Sequence, residues 1–531
     1  MTVVSFAAPY PSARSPICAD NVVATSQPLA TQAGIDALRA GGNAVDAALA
    51  AAITLTVVEP CSNGVGSDAF CILWDGNELV GLNASGRAPA GWTPERFRGR
   101  RTMPRLGWDS VTTPGAVSAW VALSERYGRL PFPRLFEAAI RYAEVGFQVG
   151  PKTARQWRLT GERLARLPSD AQAEFAEFFR HFLPAPEPGA RVRRPELART
   201  LALIAETRGE AFYRGELAER IAEAAAAAGG ALSLDDLGSH RVDWVRPIAQ
   251  PYRGVLLHEI PPNGQGLAAQ IALGILQHRE VAPPDSAESV HLELEAMKLA
   301  VRAAFDHLAD IDAMRLAPEE LLDGAMLEAL ARRIGRRASP IPPPPLPVGG
   351  DTVYLAAADA AGMMVSFIQS NYQGFGSGIV VPGTGIAMQN RGAGFSLDPG
   401  HPNCVAPRKR PYHTIIPGFV TEDGAPRLAF GVMGGHMQHQ GHVQMVRRIF
   451  DHRQNPQTAS DAPRWHVYPD YRVGLEHGFP EAVARELADR GHIIRWEPDE
   501  YIFGGAQLIL RTDHGHIAGS DHRKEGQAAG F

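Results

Sequence analysis

Cysteine is scarce in this chain, with four in 531 residues. Cys18, Cys61, Cys71 and Cys404 are scattered and form no C-x-x-C pair. That argues against a zinc ribbon or a disulfide framework and makes a reducing compartment the default. Excess positive charge is lacking as well. A net charge of −5 leaves no overall basic field for nucleic acid or a membrane surface. The local cluster Arg98, Arg100, Arg101 and Arg105 reads as a solvated loop. No segment reaches the roughly eighteen uninterrupted apolar residues of a membrane-spanning helix. The first twenty residues, MTVVSFAAPYPSARSPICAD, show no basic start and no sustained apolar stretch, so they do not read as a signal peptide. The expectation is a cytoplasmic protein without nucleic-acid or membrane partners. What is present is ordinary for a globular chain: 45% hydrophobic and 21% charged residues. The length exceeds what one ordinary core needs.

The punctuation of helices and strands is legible. Pro28 suits a first helical position and Gly41-Gly42 a stop. Asn43 can cap a second helix, apolar nearly all round and ending before Pro60. Apolar runs flanking Asp75-Gly76 predict a hairpin. From about Ser110 to Phe305 the pattern is mostly helical. A proline run in Pro340–Pro347 follows, expected to be extended and stiff. Beyond Thr352 strands dominate: TVYLAAA and MMVSFIQ around a turn at 359–362, then YHTIIPGFV, RLAFGVMGG, FGGAQLILR and HIAGSD. The pattern predicts a helix-rich first two thirds and a strand-rich last third.

Two features could carry chemistry. Gly349-Gly350-Asp351 delivers the chain to Thr352 at a strand start. A linker entering a sheet explains that, and so does a self-cleaving bond. A threonine hydroxyl is a poor nucleophile without an adjacent base, and a freed α-amine, titrating near pH 7.7–8.0, can be that base. The second feature is FGVMGGHMQ, in which Gly434-Gly435 ends an apolar strand before a helix. Two glycine amides at such a turn can hold an oxyanion, although an ordinary turn looks the same. His436, His439 and His442 recur at threes, without a carboxylate or cysteine and without the spacing of a helical zinc pair. No metal or cofactor is expected.

Many separate segments, in order and across nearly the whole chain, resemble the γ-glutamyltransferase family of N-terminal-nucleophile hydrolases. They include ATSQPLATQAGIDALRAGGNAVDAALAAAITLTVVEP, DDLGSHRVDWVRPIAQPYRG, GDTVYLAAADAAGMMVSF, RPYHTIIPG, GVMGGHMQ and FGGAQLI. The resemblance implies an α/β fold, a four-layer αββα sandwich built jointly by two autoproteolytic fragments. It implies a cut between Asp351 and Thr352. The large fragment would be 1–351, ending in the Pro-rich linker at about 336–351, and the small one 352–531. Thr352 matches the nucleophile, Ser370 a hydroxyl that hydrogen-bonds it, and Gly434 and Gly435 the oxyanion hole.

The substrate-binding positions depart from the family. The amino-binding aspartate falls on Gly394, an asparagine on Tyr372, and paired serines on His413 and Thr414. Arg391 stands at a glutamine position, and Arg87 lies two positions from the carboxylate-binding arginine. The segment 399–413 is shorter than the family's lid, which implies a more open site. The resemblance thus implies a zymogen that matures into a heterodimer of its two fragments and acts on a small-molecule amide. The loss of the ammonium reader favours an oxamate-type amidohydrolase. A γ-glutamyltransferase or glutathione hydrolase comes second. A glutaryl- or cephalosporin-type acylase and an inactive binding relative remain open, as does higher assembly.

Overall fold

The computed structural model describes residues 13–339 and 350–531. The proline run and Gly349 fall on 340–349, outside the described residues. Two seven-stranded sheets form the centre. In the first, the strand order is Ile17–Ala19, Gly515–Ser520, Gly505–Thr512, Ala425–Met433, Gly418–Glu422, Val255–Glu259, Ile248–Tyr252. In the second it is Gln527–Gly530, Val22–Thr25, Asp351–Ala358, Met364–Tyr372, Asp68–Trp74, Leu79–Asn83, Asp243–Val245. Every pairing in both sheets is antiparallel.

Side-chain alternation explains the layering. Along Asp351–Ala358, Val353, Leu355 and Ala357 join a core shared with helices, whereas Tyr354, Ala356 and Ala358 face the other sheet. Period-two alternation sends neighbours to opposite faces, and with both faces covered the strand is apolar from Val353 onward. Between the sheets, Val22, Phe70, Ile72 and Ile368 meet Phe419, Ala429, Met433 and Ile509. Helices Pro28–Arg39 and Ala44–Val58 pack on the second sheet. Helices Gly266–Leu276 and Met437–Val446 pack on the first, and Ala287–Phe305 packs on Gly266–Leu276. The result is helix, sheet, sheet, helix.

The predicted helix signals hold at Pro28 and Asn43. Asn43 caps its helix through a side chain that accepts from the Asp46 N–H, answered by Asp46 on the Asn43 N–H. Helices dominate before residue 351 and strands after it, as the pattern predicts, but the two parts do not form separate layers. Residues before 351 supply seven strands of the two sheets, interleaved with those that follow. Short strands such as Val22–Thr25 carry too little pattern to stand out, and sheet pairing alone reveals them. Residues 412–417 of YHTIIPGFV form no strand beyond a single bridge from His413 to Gly264; the strand begins at Gly418, after Pro417. Among the described residues no helix is long and apolar enough to cross a membrane.

Candidate active site

Asp351 opens a central strand, opposite Tyr372 on the neighbouring strand. The register shifts between Asp351 and Val353, so Thr352 sits in a β-bulge. A bulge re-aims one side chain out of the ladder. Here the Thr352 hydroxyl, 1% exposed, meets two partners. It donates to Ser370 Oγ at 3.3 Å and accepts from Gln438 Nε2 at 3.3 Å. Ser370 Oγ in turn donates to the Asp351 carbonyl at 2.6 Å and accepts from the Tyr372 N–H at 2.7 Å. The carbonyl of the peptide bond preceding Thr352 is therefore joined to the Thr352 hydroxyl through one serine. Tyr372 reaches this position with φ of +80°, a rare conformation for a bulky residue.

Gly434 and Gly435 turn the chain from strand Ala425–Met433 into helix Met437–Val446 with φ of +125° and +60°. Both values favour glycine. The turn lies against the same peptide. A Cβ on Gly350 would stand 2.7 Å from Gly435 Cα and 3.3 Å from its nitrogen. Gln438, one turn further on, is oriented by the Ile416 N–H, which donates to its Oε1 at 3.1 Å. That leaves its NH2 group for Thr352.

Asp351 is held by its side chain as well. Tyr501 OH donates to Oδ1 at 2.7 Å and Gln156 Nε2 to Oδ2 at 3.1 Å. Burial, with the Asp351 charge second, pushes the Tyr501 hydroxyl well above its ordinary range. A cleft of about 450 Å³ opens at this point, lined by Gly350, Asp351, Gly434, Gln156, Tyr501, Arg105 and Arg163 among others. Arg105, expected in a solvated loop, thus faces the cleft.

Arg391 lies on the far side of Tyr372. Its guanidinium stacks over the Tyr372 ring at 4.7 Å and Nη1 donates to Thr414 Oγ1 at 2.7 Å. Arg391 is 1% exposed, and its Nε and Nη2 have no hydrogen-bond partner among the described residues. Burial lowers its pKa to about 10, which still leaves it charged at neutral pH. The Tyr372 hydroxyl is also buried and unpartnered. The buried Asp68 carboxyl is the charge that acts most on Arg391, yet the guanidinium keeps two unpartnered donors beside an unpartnered hydroxyl, a set that suits an anion's oxygens.

The remaining expected residues separate. His413 Nδ1 accepts the Ile415 N–H, so Nε2 carries the proton and donates to Asp68 Oδ2 at 3.2 Å. Burial, helped by Arg391, pushes the His413 pKa well down and keeps the ring neutral. Arg87 is paired with Asp310 at 3.1 Å and Asp243 at 3.9 Å and lines a different cleft, beside His240 and Arg241. Of the three histidines, His436 and His439 meet edge to face at 6.4 Å and share the Tyr412–Gln265 hydrogen-bond network, while His442 meets Glu259. Sequence reasoning missed Gln438, Gln156 and Tyr501. Gln438 lay inside the quoted GGHMQ motif, while Gln156 and Tyr501 carry no local signal.

A four-layer sandwich of this kind, with a bulged threonine facing a serine and a glycine turn, is an N-terminal-nucleophile hydrolase fold. The model of the gamma-glutamyltranspeptidase family matches residues 30–531, and the chain belongs to that family. It is 36% identical over 532 residues to the glutathione hydrolase-like YwrD proenzyme of Bacillus subtilis, covering 98% of this chain and 100% of that one. It is 36% identical over 518 residues to the oxamate amidohydrolase proenzyme of Klebsiella pneumoniae, covering 95% and 97%. The crystal structure of cephalosporin acylase from Bacillus halodurans superposes with a TM-score of 0.95 at 46% identity, covering 100% of this chain and 99% of that one.

Proposed function

We propose that this protein is a self-processing amidohydrolase that cuts itself between Asp351 and Thr352 and then hydrolyses the amide of a small acidic acyl group through Thr352. The observation that carries the proposal is the chain of hydrogen bonds from the Thr352 hydroxyl through Ser370 to the Asp351 carbonyl. In self-cleavage, Thr352 Oγ attacks the Asp351 carbonyl carbon. Its proton passes to Ser370, and the Ser370 proton passes to the carbonyl oxygen. Collapse of this adduct breaks the C–N bond, the nitrogen takes up a proton, and the carbonyl re-forms as an ester. Water then opens the ester. That frees the Thr352 amine, which serves as base in turnover. Gly434 and Gly435 would supply N–H donors to the oxyanion of the substrate adduct.

Arg391 supports an acidic acyl group, since its two unpaired donors match a carboxylate fork. Gly394 speaks against an α-ammonium on that group. A Cβ there would stand 2.5 Å from the Tyr412 carbonyl, so the position cannot hold the family's aspartate without moving backbone. An oxamate-type acyl group, as in the name of the Klebsiella relative, leads. The likeness to the cephalosporin acylase favours a longer glutaryl-type acyl group as the second reading.

Thr352→Ala should abolish both cutting and turnover, and Thr352→Ser should keep part of each. Purified protein assayed against oxamate, glutaryl amides and glutathione should prefer the first two. Wild-type turnover by the alanine variant would end the nucleophile assignment. A clear preference for glutathione would move the substrate to the γ-glutamyl class.

A further inference from the structure

Self-cleavage uses the Asp351 carbonyl but has no use for its carboxylate, and yet that carboxylate is the better held of the two. Tyr501 and Gln156 both donate to it. Gln156 and Arg163 lie seven residues apart on helix Pro151–Ala165, a spacing that sets both on one face. The Asp351 charge also raises the Arg163 pKa against the lowering by burial, so the two groups face each other electrostatically. All four residues, with Arg105, line the open cleft. Arg391 does not line it and lies beyond Tyr372.

We propose that Tyr501, Gln156 and Arg163 form a carboxylate subsite, which Asp351 fills as a built-in ligand before cleavage. In the processed enzyme it takes the carboxylate of the substrate's leaving amine. The inference rests on the assignment of Thr352 as nucleophile. The freed Thr352 amine must hand its proton to the leaving nitrogen, which therefore sits within hydrogen-bond reach, about 3 Å. Asp351 was bonded to that same Thr352 nitrogen, and its Cα stands roughly 2.4 Å away by backbone geometry. A leaving nitrogen that enters from the side Asp351 vacates then stands close to the old Cα position, and that side is chosen because the open cleft lies there. The Asp351 carboxyl carbon is two bonds from that Cα. An α-amino acid has the same two bonds between its nitrogen and its carboxyl carbon. The favoured substrate is therefore an N-acyl α-amino acid, with its acyl half toward Arg391 and its amino-acid carboxylate on Tyr501 and Gln156. The step balances. The acyl carbon gains a bond to Thr352 Oγ, the C–N bond breaks, and the leaving nitrogen takes the proton from the Thr352 amine. The amino acid departs, and water then releases the acid.

The test uses fully processed protein, confirmed as two bands on a gel, and two amides that share one acyl group: glutaryl-glycine and glutaryl-methylamide. Wild-type kcat/KM should favour the glycine amide by about tenfold or more, mostly through KM. Tyr501→Phe and Gln156→Leu should each lower kcat/KM for the glycine amide several-fold more than for the methylamide, and so remove much of that preference. Arg391→Ala should lower both amides alike, because the acyl group is shared. Equal rates on the two amides, or a preference that survives the Tyr501→Phe, Gln156→Leu double variant, overturn the subsite and leave the amidohydrolase standing. Turnover by Thr352→Ala overturns the nucleophile assignment on which the inference rests. If neither amide is turned over, calorimetry with N-acetylglycine decides: absent binding, or binding unchanged by Tyr501→Phe, overturns the subsite.

Discussion

At the residue scale, Ser370 and Gln438 have separable duties. Ser370 connects the Thr352 hydroxyl to the Asp351 carbonyl, a connection that the proposed cut would remove. Gln438, held by Ile416, donates to Thr352 Oγ1 and so directs its proton toward Ser370. Once Thr352 has a free amine, its hydroxyl has a second base. Ser370→Ala and Gln438→Leu are therefore expected to slow self-cleavage more than they slow turnover by protein that has finished cutting. The expected losses are about a hundredfold or less in turnover, with a larger loss in the rate of fragment appearance. Gel densitometry over time, beside kcat on the processed fraction, measures the two. Equal losses in both would show that Ser370 carries no proton to the carbonyl.

At the element scale, the bulge on strand Asp351–Ala358 and the turn at Gly434-Gly435 would together set the geometry of the proposed cut. A methyl group on Gly350 meets the Gly435 backbone at 2.7 Å, and backbone cannot swing aside as a flexible side chain does. Gly350→Ala should displace the peptide from Ser370, so that the uncut chain accumulates on a gel while the fold persists by circular dichroism. A second consequence lies at the C-terminal end of helix Ala44–Val58. Glu59 caps it fully buried, accepting from Ser26 Oγ at 2.5 Å and Ser62 Oγ at 2.9 Å. Burial raises its pKa to about 7, and the negative end of a helix disfavours an anion there as well. A carboxyl raised in the folded state binds its proton more tightly folded than unfolded. Its contribution is fully present below the unfolded value near 4.5 and is lost as pH rises to about 7. The span corresponds to about 3 kcal/mol at most. Glu59→Gln should flatten the fall in Tm between those limits. An unchanged slope would place the titration elsewhere.

At the scale of the whole molecule, cutting after Asp351 would yield fragments 1–351 and 352–531. Each would own seven strands, split four and three within one sheet and three and four within the other, because Asp351–Ala358 counts with the second fragment. Strand Asp351–Ala358 pairs with Val22–Thr25 on one side, and Met364–Tyr372 pairs with Asp68–Trp74 on the other. Separating the fragments would expose both cores, so they should co-elute in size exclusion and part only in denaturant. Edman degradation of the smaller one should begin Thr-Val-Tyr-Leu. A different first residue, or dissociation under native conditions, would count against the proposed cut.

Taken alone, the amino-acid sequence determined the family, the helix starts at Pro28 and Asn43, the strand that opens at Thr352 and the glycine turn at 434–435. These rest on local rules, namely capping, alternation and backbone freedom, together with ordered motifs. The sequence could not determine who faces whom. Arg87 and Arg391 look alike in one dimension, but only packing shows the first neutralised by Asp310 and the second buried with donors to spare. Gly394 looks like a vacant place for an aspartate until the Tyr412 carbonyl is found 2.5 Å from its missing Cβ. Gln156 and Tyr501 lie 345 positions apart and meet only at the Asp351 carboxylate. Contacts of that range follow from how the two sheets stack, and no short pattern encodes them.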